Sequence, residues 1–198
     1  MQETSPSPHG SAIGNLPNFL SLSRIASVPL ICWLLTHPGE GFAQVTTVVF
    51  LAATLTDAFD GYFARRYGQV TALGKLLDPL ADKLLVVSAL VMLAMLDRAP
   101  GIPAWLVVVV IGRELAVTGL RSIAAAEGIV LGAEAVGKFK MIVQAVALHA
   151  LILHYTYLGL NFHAAGIALL AASAVLGLWS AVQYYRTVYS RLVGGASA

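Results

Sequence analysis

Apolar residues along the chain come in six long runs that are separated by short polar breaks. A helix needs about 20 mostly apolar residues to cross a bilayer, and each run approaches that length. The runs extend over residues 19–35, 42–63, 80–96, 102–123, 139–160 and 163–185. The pattern predicts an all-α polytopic membrane protein with six transmembrane helices.

The beginning of the chain is the least regular part of this pattern. Arg24 and Pro29 interrupt the first run, which leaves open an amino-terminal interfacial helix in place of a full span. Residues 1–14 are polar, rich in Ser, Pro and Gly, and lack the basic stretch of a signal peptide. We therefore expect a flexible tail over residues 1–14, and a single membrane domain over residues 15–198.

Composition and charge support the membrane assignment. Hydrophobic residues make up 58% of the chain and charged residues only 11%, whereas a soluble domain usually carries about 25% charged residues. If the amino terminus is cytoplasmic and the spans alternate, every Lys and Arg except Arg98 falls toward the cytoplasmic half. No nucleic-acid partner is expected.

Four carboxylates interrupt the apolar pattern at the predicted cytoplasmic ends of two spans. Asp57 and Asp60 end the second span, and Asp78 and Asp82 begin the third. Residues three or four apart share a helix face, so a loop of about fifteen residues between antiparallel helices would let the two pairs face each other. Such oxygen ligands suit divalent metal ions, and two ions could clamp a phosphoryl displacement. The alternative is a salt-bridge network with neighbouring basic side chains.

The acidic residues belong to a longer motif that resembles the signature of the CDP-alcohol phosphotransferases. It reads Asp57-x-x-Asp60-Gly61-x-x-Ala64-Arg65, then eight residues, then Gly74-x-x-x-Asp78-x-x-x-Asp82. The resemblance implies a six-helix membrane enzyme, usually a homodimer. Such enzymes transfer a phosphatidyl or similar group from a CDP-linked donor to an alcohol and release CMP.

The resemblance also implies roles for individual residues. Asp57, Asp60 and Asp78 would bind Mg²⁺ or Mn²⁺, with two ions expected. Asp82 would complete the metal site and act as the base that takes the proton of the attacking hydroxyl.

Two further segments would contact the donor. Gly61, Arg65 and Thr71 correspond to positions that contact its CDP part. The segment 15–24 is similar to the opening of these enzymes, which would place Asn18 and Arg24 near the donor.

A second group of charges bears on the acceptor. Arg113 lies inside the fourth span, Arg121 lies eight residues later on about the same helix face, and Lys138 and Lys140 open the fifth span. Cations that converge on a cytoplasmic cavity would bind a phosphorylated acceptor. Two other interpretations stay open: interfacial anchoring of Arg121, Lys138 and Lys140, and pairing of Arg113 with Glu114.

The segments 112–121 and 137–144 resemble one branch of the same family. That branch makes phosphatidylglycerophosphate from CDP-diacylglycerol and sn-glycerol 3-phosphate, which implies a bacterial inner-membrane enzyme with a cytoplasmic active site. The enzymatic alternatives use inositol phosphate, serine or phosphatidylglycerol as acceptor. The other classes considered are a divalent cation transporter, which the one-sided carboxylates disfavour, and a catalytically silent lipid-binding scaffold.

Overall fold

The computed structural model describes residues 16–67, 72–129 and 135–195, and side chains within 19–56, 79–129 and 137–191. Within these ranges the chain forms six helices and a two-stranded hairpin. They are α1 (Leu16–Leu35), α2 (Glu40–Tyr67), α3 (Ala72–Met95), α4 (Ala104–Ala126), α5 (Ala135–Leu153), β1 (Thr156–Tyr157), β2 (Leu160–Asn161) and α6 (Phe162–Gly195). The predicted all-α class is confirmed, apart from the hairpin.

The helices pack around one apolar core. Helix α1 lies against α2 and α3, α6 lies against α4 and α5, and α2 contacts α5. Each helix contributes at least one side chain that is almost fully buried in this core, namely Ile31, Phe50, Leu90, Leu106, Leu151 and Leu170. Many large apolar side chains also face outward, including Trp105, Val108 and Val175. Helices that are apolar both inward and outward are typical of a membrane protein.

Membrane crossing is supported most clearly for α6. Among the described residues, Phe162–Arg191 alone is long and apolar enough to span a bilayer, while Phe19–Leu35 and Glu40–Thr56 are shorter apolar helices. Each of the six helices overlaps one of the six predicted runs. Six crossings, and the interfacial alternative for the first run, stay predictions.

Two helix boundaries near the acidic motif differ from the prediction. Helix α2 continues to Tyr67 and α3 begins at Ala72, so residues 68–71 alone separate them in place of a loop of about fifteen residues. Hydropathy locates the apolar part of a helix, but a helix can extend past that part into polar sequence. Arg24 and Pro29 also fail to interrupt α1, where Pro29 is exposed on a continuous helix.

The end of α5 was also predicted wrongly. The helix stops at Leu153 and not at residue 160, because His154 adopts a left-handed backbone with a φ of 42°. A short antiparallel hairpin follows, in which Thr156 pairs with Asn161. Its turn uses positive φ at Leu158 and Gly159, the geometry that two-residue hairpin loops prefer.

Candidate active site

A cavity of about 640 Å³ opens at the end of the bundle where α2, α4 and α6 finish and α3 and α5 begin. Five of the residues predicted for the site line this cavity: Asp82, Arg113, Arg121, Lys138 and Lys140. They come from three helices that follow one another along the chain, α3, α4 and α5. The structure therefore brings the predicted base and the predicted acceptor-binding cations into one space.

Apart from Arg24, the other predicted site residues lie outside the ranges in which side chains are described. Asp57, Asp60, Gly61 and Arg65 belong to α2, Asp78 to α3 and Asn18 to α1, all with side chains outside the described ranges, and Thr71 lies outside the described residues altogether. No cluster of three possible metal ligands occurs among the side chains that are described. Because three of the four predicted ligands are not among them, the metal site stays a prediction.

Arg24 is the one predicted donor contact whose side chain is described. It is 1% exposed on α1 and is not among the residues that line the cavity. Its contact with the donor stays a prediction.

An ion cluster forms one wall of the cavity. The carboxylate of Glu114 accepts a hydrogen bond from Arg113 Nη1 at 3.1 Å and forms an ion pair with Lys140. The side chain of Lys140 is 3% exposed and that of Arg113 is 10% exposed. Within this cluster one carboxylate faces two cations, and Asp82 adds a second negative charge near Lys140.

Helix α6 fixes the orientation of Arg113. The guanidinium Nε donates to the carbonyl oxygen of Gly177 at 3.0 Å, and Nη2 donates to Ser180 Oγ at 3.5 Å. A Cβ at position 177 would lie 3.4 Å from Arg113 Nε and 3.5 Å from Lys140 Cε, which is ordinary van der Waals contact, so Gly177 packs directly beside both cations. Gly177 and Ser180 were not predicted, because α6 looks like a plain apolar span in the sequence.

The remaining cations stand at the mouth of the cavity. Arg121 and Lys138 are exposed, and the guanidinium carbon of Arg121 lies 5.8 Å from the ring centroid of Tyr184. This distance is in the range of a cation–π contact. The predicted cations thus form two layers, a buried layer paired with Glu114 and a solvated layer that could also serve as an anchor.

Asp82 lies in the first half of α3 and is partly buried at the cavity wall. It is close enough to Lys140 for electrostatic attraction between the two side chains. A carboxylate at the cavity wall can accept a hydrogen bond from the hydroxyl of a bound ligand, which is the contact that a general base needs.

Comparison with known proteins establishes the family. Residues 14–179 match the family model described as CDP-alcohol phosphatidyltransferase. The chain belongs to this family. The resemblance read from the acidic motif is therefore confirmed, and the CDP-alcohol phosphatidyltransferase assignment covers the helices that build the cavity.

Three relatives of this CDP-alcohol phosphatidyltransferase carry three different names. A Bacillus subtilis protein named CDP-diacylglycerol–glycerol-3-phosphate 3-phosphatidyltransferase is 44% identical over 152 residues, which cover 71% of this chain and 77% of the relative. A Mycobacterium tuberculosis protein named probable phosphatidylglycerophosphate synthase is 38% identical over 175 residues, covering 87% and 80%. A rice protein named cardiolipin synthase (CMP-forming) is 36% identical over 97% of this chain and 63% of its own length.

Proposed function

We propose that this protein transfers the phosphatidyl group of CDP-diacylglycerol to sn-glycerol 3-phosphate, giving phosphatidylglycerophosphate and CMP. The proposal rests on one observation: Asp82 and the buried cations Arg113 and Lys140 line the same cavity. The reaction needs a base for the attacking hydroxyl and positive charge for the acceptor phosphate. The names of the bacterial relatives support the same substrates.

The acceptor phosphate would bind at the cationic wall of the cavity. Arg113 and Lys140 form the buried part of this site, while Arg121 and Lys138 guide the phosphate at the mouth. Charge-assisted hydrogen bonds to phosphate are strong in such a partly dehydrated site. Glu114 holds both buried cations in place and lowers the net charge, which allows the phosphate to leave again with the product.

Asp82 would take the proton of the attacking hydroxyl. The carboxyl oxygens of Asp57, Asp60, Asp78 and Asp82 form a donor set that suits Mg²⁺ or Mn²⁺, and two such ions, when bound, supply charge neutralisation at the donor diphosphate. Asn18, Arg24, Gly61, Arg65 and Thr71 are proposed to contact the donor. The hydroxyl oxygen forms the new bond to phosphorus, and the bond from phosphorus to CMP breaks.

The charge distribution supports a cytoplasmic cavity in a bacterial inner membrane. The basic side chains Lys83, Arg113, Arg121, Lys138, Lys140 and Arg186 lie toward the cavity end, and Arg98 lies at the opposite end. Positive charge is enriched on the cytoplasmic side of membrane proteins. A multi-pass topology and a homodimer are part of the proposal.

An acceptor panel tests the proposed reaction. Purified protein in detergent, with CDP-diacylglycerol and Mg²⁺, would be given sn-glycerol 3-phosphate, serine, inositol phosphate or phosphatidylglycerol, and CMP release would be measured. We expect CMP release only with sn-glycerol 3-phosphate, and its loss when the metal is chelated. CMP release with another acceptor alone would refute the proposed substrate.

Phosphatidylglycerol is the second candidate acceptor, because the rice relative is named a cardiolipin synthase. It also carries a phosphate and a free glycerol hydroxyl. The buried position of Lys140 favours the small acceptor, since a cation that is 3% exposed suits a soluble phosphate better than a bulky diacyl headgroup. Competition between the two acceptors in the same assay would rank them.

A further inference from the structure

The side chain of Gln144 is an unexplained polar group in the cavity. It is 5% exposed, it lines the cavity, and its Oε1 accepts no hydrogen bond within the described part of the chain. Burying a hydrogen-bonding group without a partner costs about 1–3 kcal/mol. A buried amide oxygen that lines a cavity and has no partner within the described part of the chain therefore points to a ligand that supplies a donor.

The neighbouring hydroxyl groups do not share this property. Thr54 donates to the carbonyl oxygen of Phe50 at 2.8 Å, and Thr118 donates to that of Glu114 at 2.7 Å. Ser122 donates to the carbonyl oxygen of Thr118 at 3.1 Å. These hydroxyls satisfy their own helices, so the amide of Gln144 is the better candidate for a neutral contact with ligand.

Gln144 also lies next to the phosphate site along α5. It follows Lys140 by four residues, so the two side chains share a helix face and stand about one turn apart. A ligand whose phosphate contacts Lys140 would therefore extend a polar group toward Gln144. In sn-glycerol 3-phosphate the C2 hydroxyl is the group nearest the phosphate end, while the C1 hydroxyl attacks the donor.

We propose that Gln144 is a specificity-determining residue whose Oε1 accepts a hydrogen bond from the C2 hydroxyl of the acceptor. This inference rests on the proposed function. The contact selects a vicinal diol phosphate over a phosphate with a single terminal hydroxyl, and it orients the C1 hydroxyl toward Asp82. No electron or proton is transferred to Gln144.

The test compares two acceptors and two proteins. One acceptor is sn-glycerol 3-phosphate, and the other is 3-hydroxypropyl phosphate, which lacks the C2 hydroxyl. We expect the wild type to prefer the first by about 10-fold or more in kcat/KM, the size of one hydrogen bond that leaves a buried partner unsatisfied. Gln144→Met, which keeps the shape and removes the acceptor oxygen, should abolish this preference and leave the KM for CDP-diacylglycerol unchanged.

Several outcomes would overturn the inference. Equal use of both acceptors by the wild type would reject it without any variant, so it can be refuted even if Gln144→Met fails to fold. An equal loss with both acceptors in Gln144→Met would assign the residue a merely structural role. The control Gln44→Met makes the same change at an exposed site in the first half of α2 and should keep the preference.

The same assay distinguishes a failure of the proposed reaction from a failure of the role proposed for Gln144. If the wild type released no CMP with either acceptor but did so with serine or phosphatidylglycerol, both proposals would fall together. If it used sn-glycerol 3-phosphate and 3-hydroxypropyl phosphate equally, the proposed reaction would stand and only the role of Gln144 would be rejected.

Discussion

The two ends of the helix bundle bury polar side chains in different ways. At the end opposite the cavity, Arg98 Nη1 donates to the carbonyl oxygen of Leu151 at 2.9 Å, and His163 Nε2 donates to that of Pro100 at 2.7 Å. These bonds tie loops to helix ends. At the cavity end, Glu114 and Lys140 pair with each other, side chain to side chain.

This difference distinguishes polar groups that stabilise the fold from polar groups that can change partners when a ligand binds. The carbonyls of Leu151 and Pro100 lie in the last turn of α5 and in a loop, where no partner within a helix is available, so losing these bonds weakens the fold. A pair of side chains beside a cavity can rearrange when a ligand arrives. Arg113 combines both types, because it bonds the carbonyl of Gly177 and the carboxylate of Glu114.

The largest expected effect is the loss of catalysis when a carboxylate at the cavity end of the bundle is replaced. Asp82→Asn should lower kcat by about 100-fold to 10,000-fold, the usual contribution of general acid–base catalysis, because an amide cannot take the hydroxyl proton. The matched change Asp97→Asn, at an exposed position on the opposite end, should leave kcat unaffected. Steady-state CMP release measures both. Near-normal turnover in Asp82→Asn would show that Asp82 is not the catalytic base.

The second prediction concerns the ion cluster. Glu114→Gln should destabilise the protein by about 3 kcal/mol, because it removes the carboxylate that pairs with both buried cations and leaves only the weaker attraction of Asp82 for Lys140. Adding Lys140→Met should restore most of that stability while acceptor binding stays weak. Thermal unfolding in detergent gives the stability. If Glu114→Gln alone were as stable as the wild type, the cluster would be solvated and not a buried ion pair.

The third prediction makes the same substitution at both ends. Arg113→Ala should raise the KM for sn-glycerol 3-phosphate about 10-fold or more, the size of a lost charge-assisted hydrogen bond, with a much smaller change for CDP-diacylglycerol. Arg98→Ala should lower the unfolding temperature and leave both KM values unchanged. If Arg113→Ala weakened donor and acceptor equally, its assignment to the acceptor site would be wrong.

The smallest effect is a pH dependence at the end opposite the cavity. Burial lowers the pKa of His154 from its ordinary value of 6.5, with a smaller contribution from the charge of Arg98. At a pH between the lowered folded pKa and the unfolded pKa, the imidazole of His154 is thus mostly neutral in the folded protein and mostly protonated in the unfolded chain. Stability should be complete above about pH 6.5 and should fall as the pH drops through the unfolded pKa toward the lowered folded one.

His154→Asn provides the comparison for this effect. Asparagine tolerates the left-handed backbone of this position and does not titrate. Unfolding temperatures measured from pH 7.5 to pH 5 should fall less steeply in the variant than in the wild type. Parallel curves would show that His154 does not contribute.

The sequence predicted the helices better than their ends. The apolar run 102–123 became α4 (Ala104–Ala126), because burial and hydropathy agree along that helix. The hairpin after Leu153 was missed, since Leu158-Gly159 is not a common turn pair and its positive φ angles are visible only in the backbone. The apolar run 80–96 does not show the start of α3, because charged residues near position 75 continue the helix beyond its apolar part.

The parts of the candidate site that depend only on the spacing of residues along one helix could be predicted from the sequence. Arg113 and Arg121 are eight residues apart, and both line the cavity as a shared helix face requires. The contributions of Gly177 and Ser180 could not be predicted, because they arise from the packing of α6 against α4. The roles of Asp57, Asp60 and Asp78 stay predictions, since their side chains lie outside the described ranges.

The most direct test of the proposed reaction follows labelled sn-glycerol 3-phosphate into lipid. Purified protein in detergent would be incubated with CDP-diacylglycerol, Mg²⁺ and the labelled acceptor, and CMP and organic-soluble label would be measured together. We predict equal amounts of both products in the wild type, and a rate of formation of both that is lower by about 100-fold or more in Asp82→Asn. CMP release without label in the lipid fraction would contradict the proposed reaction, because the acceptor would then be water or another alcohol.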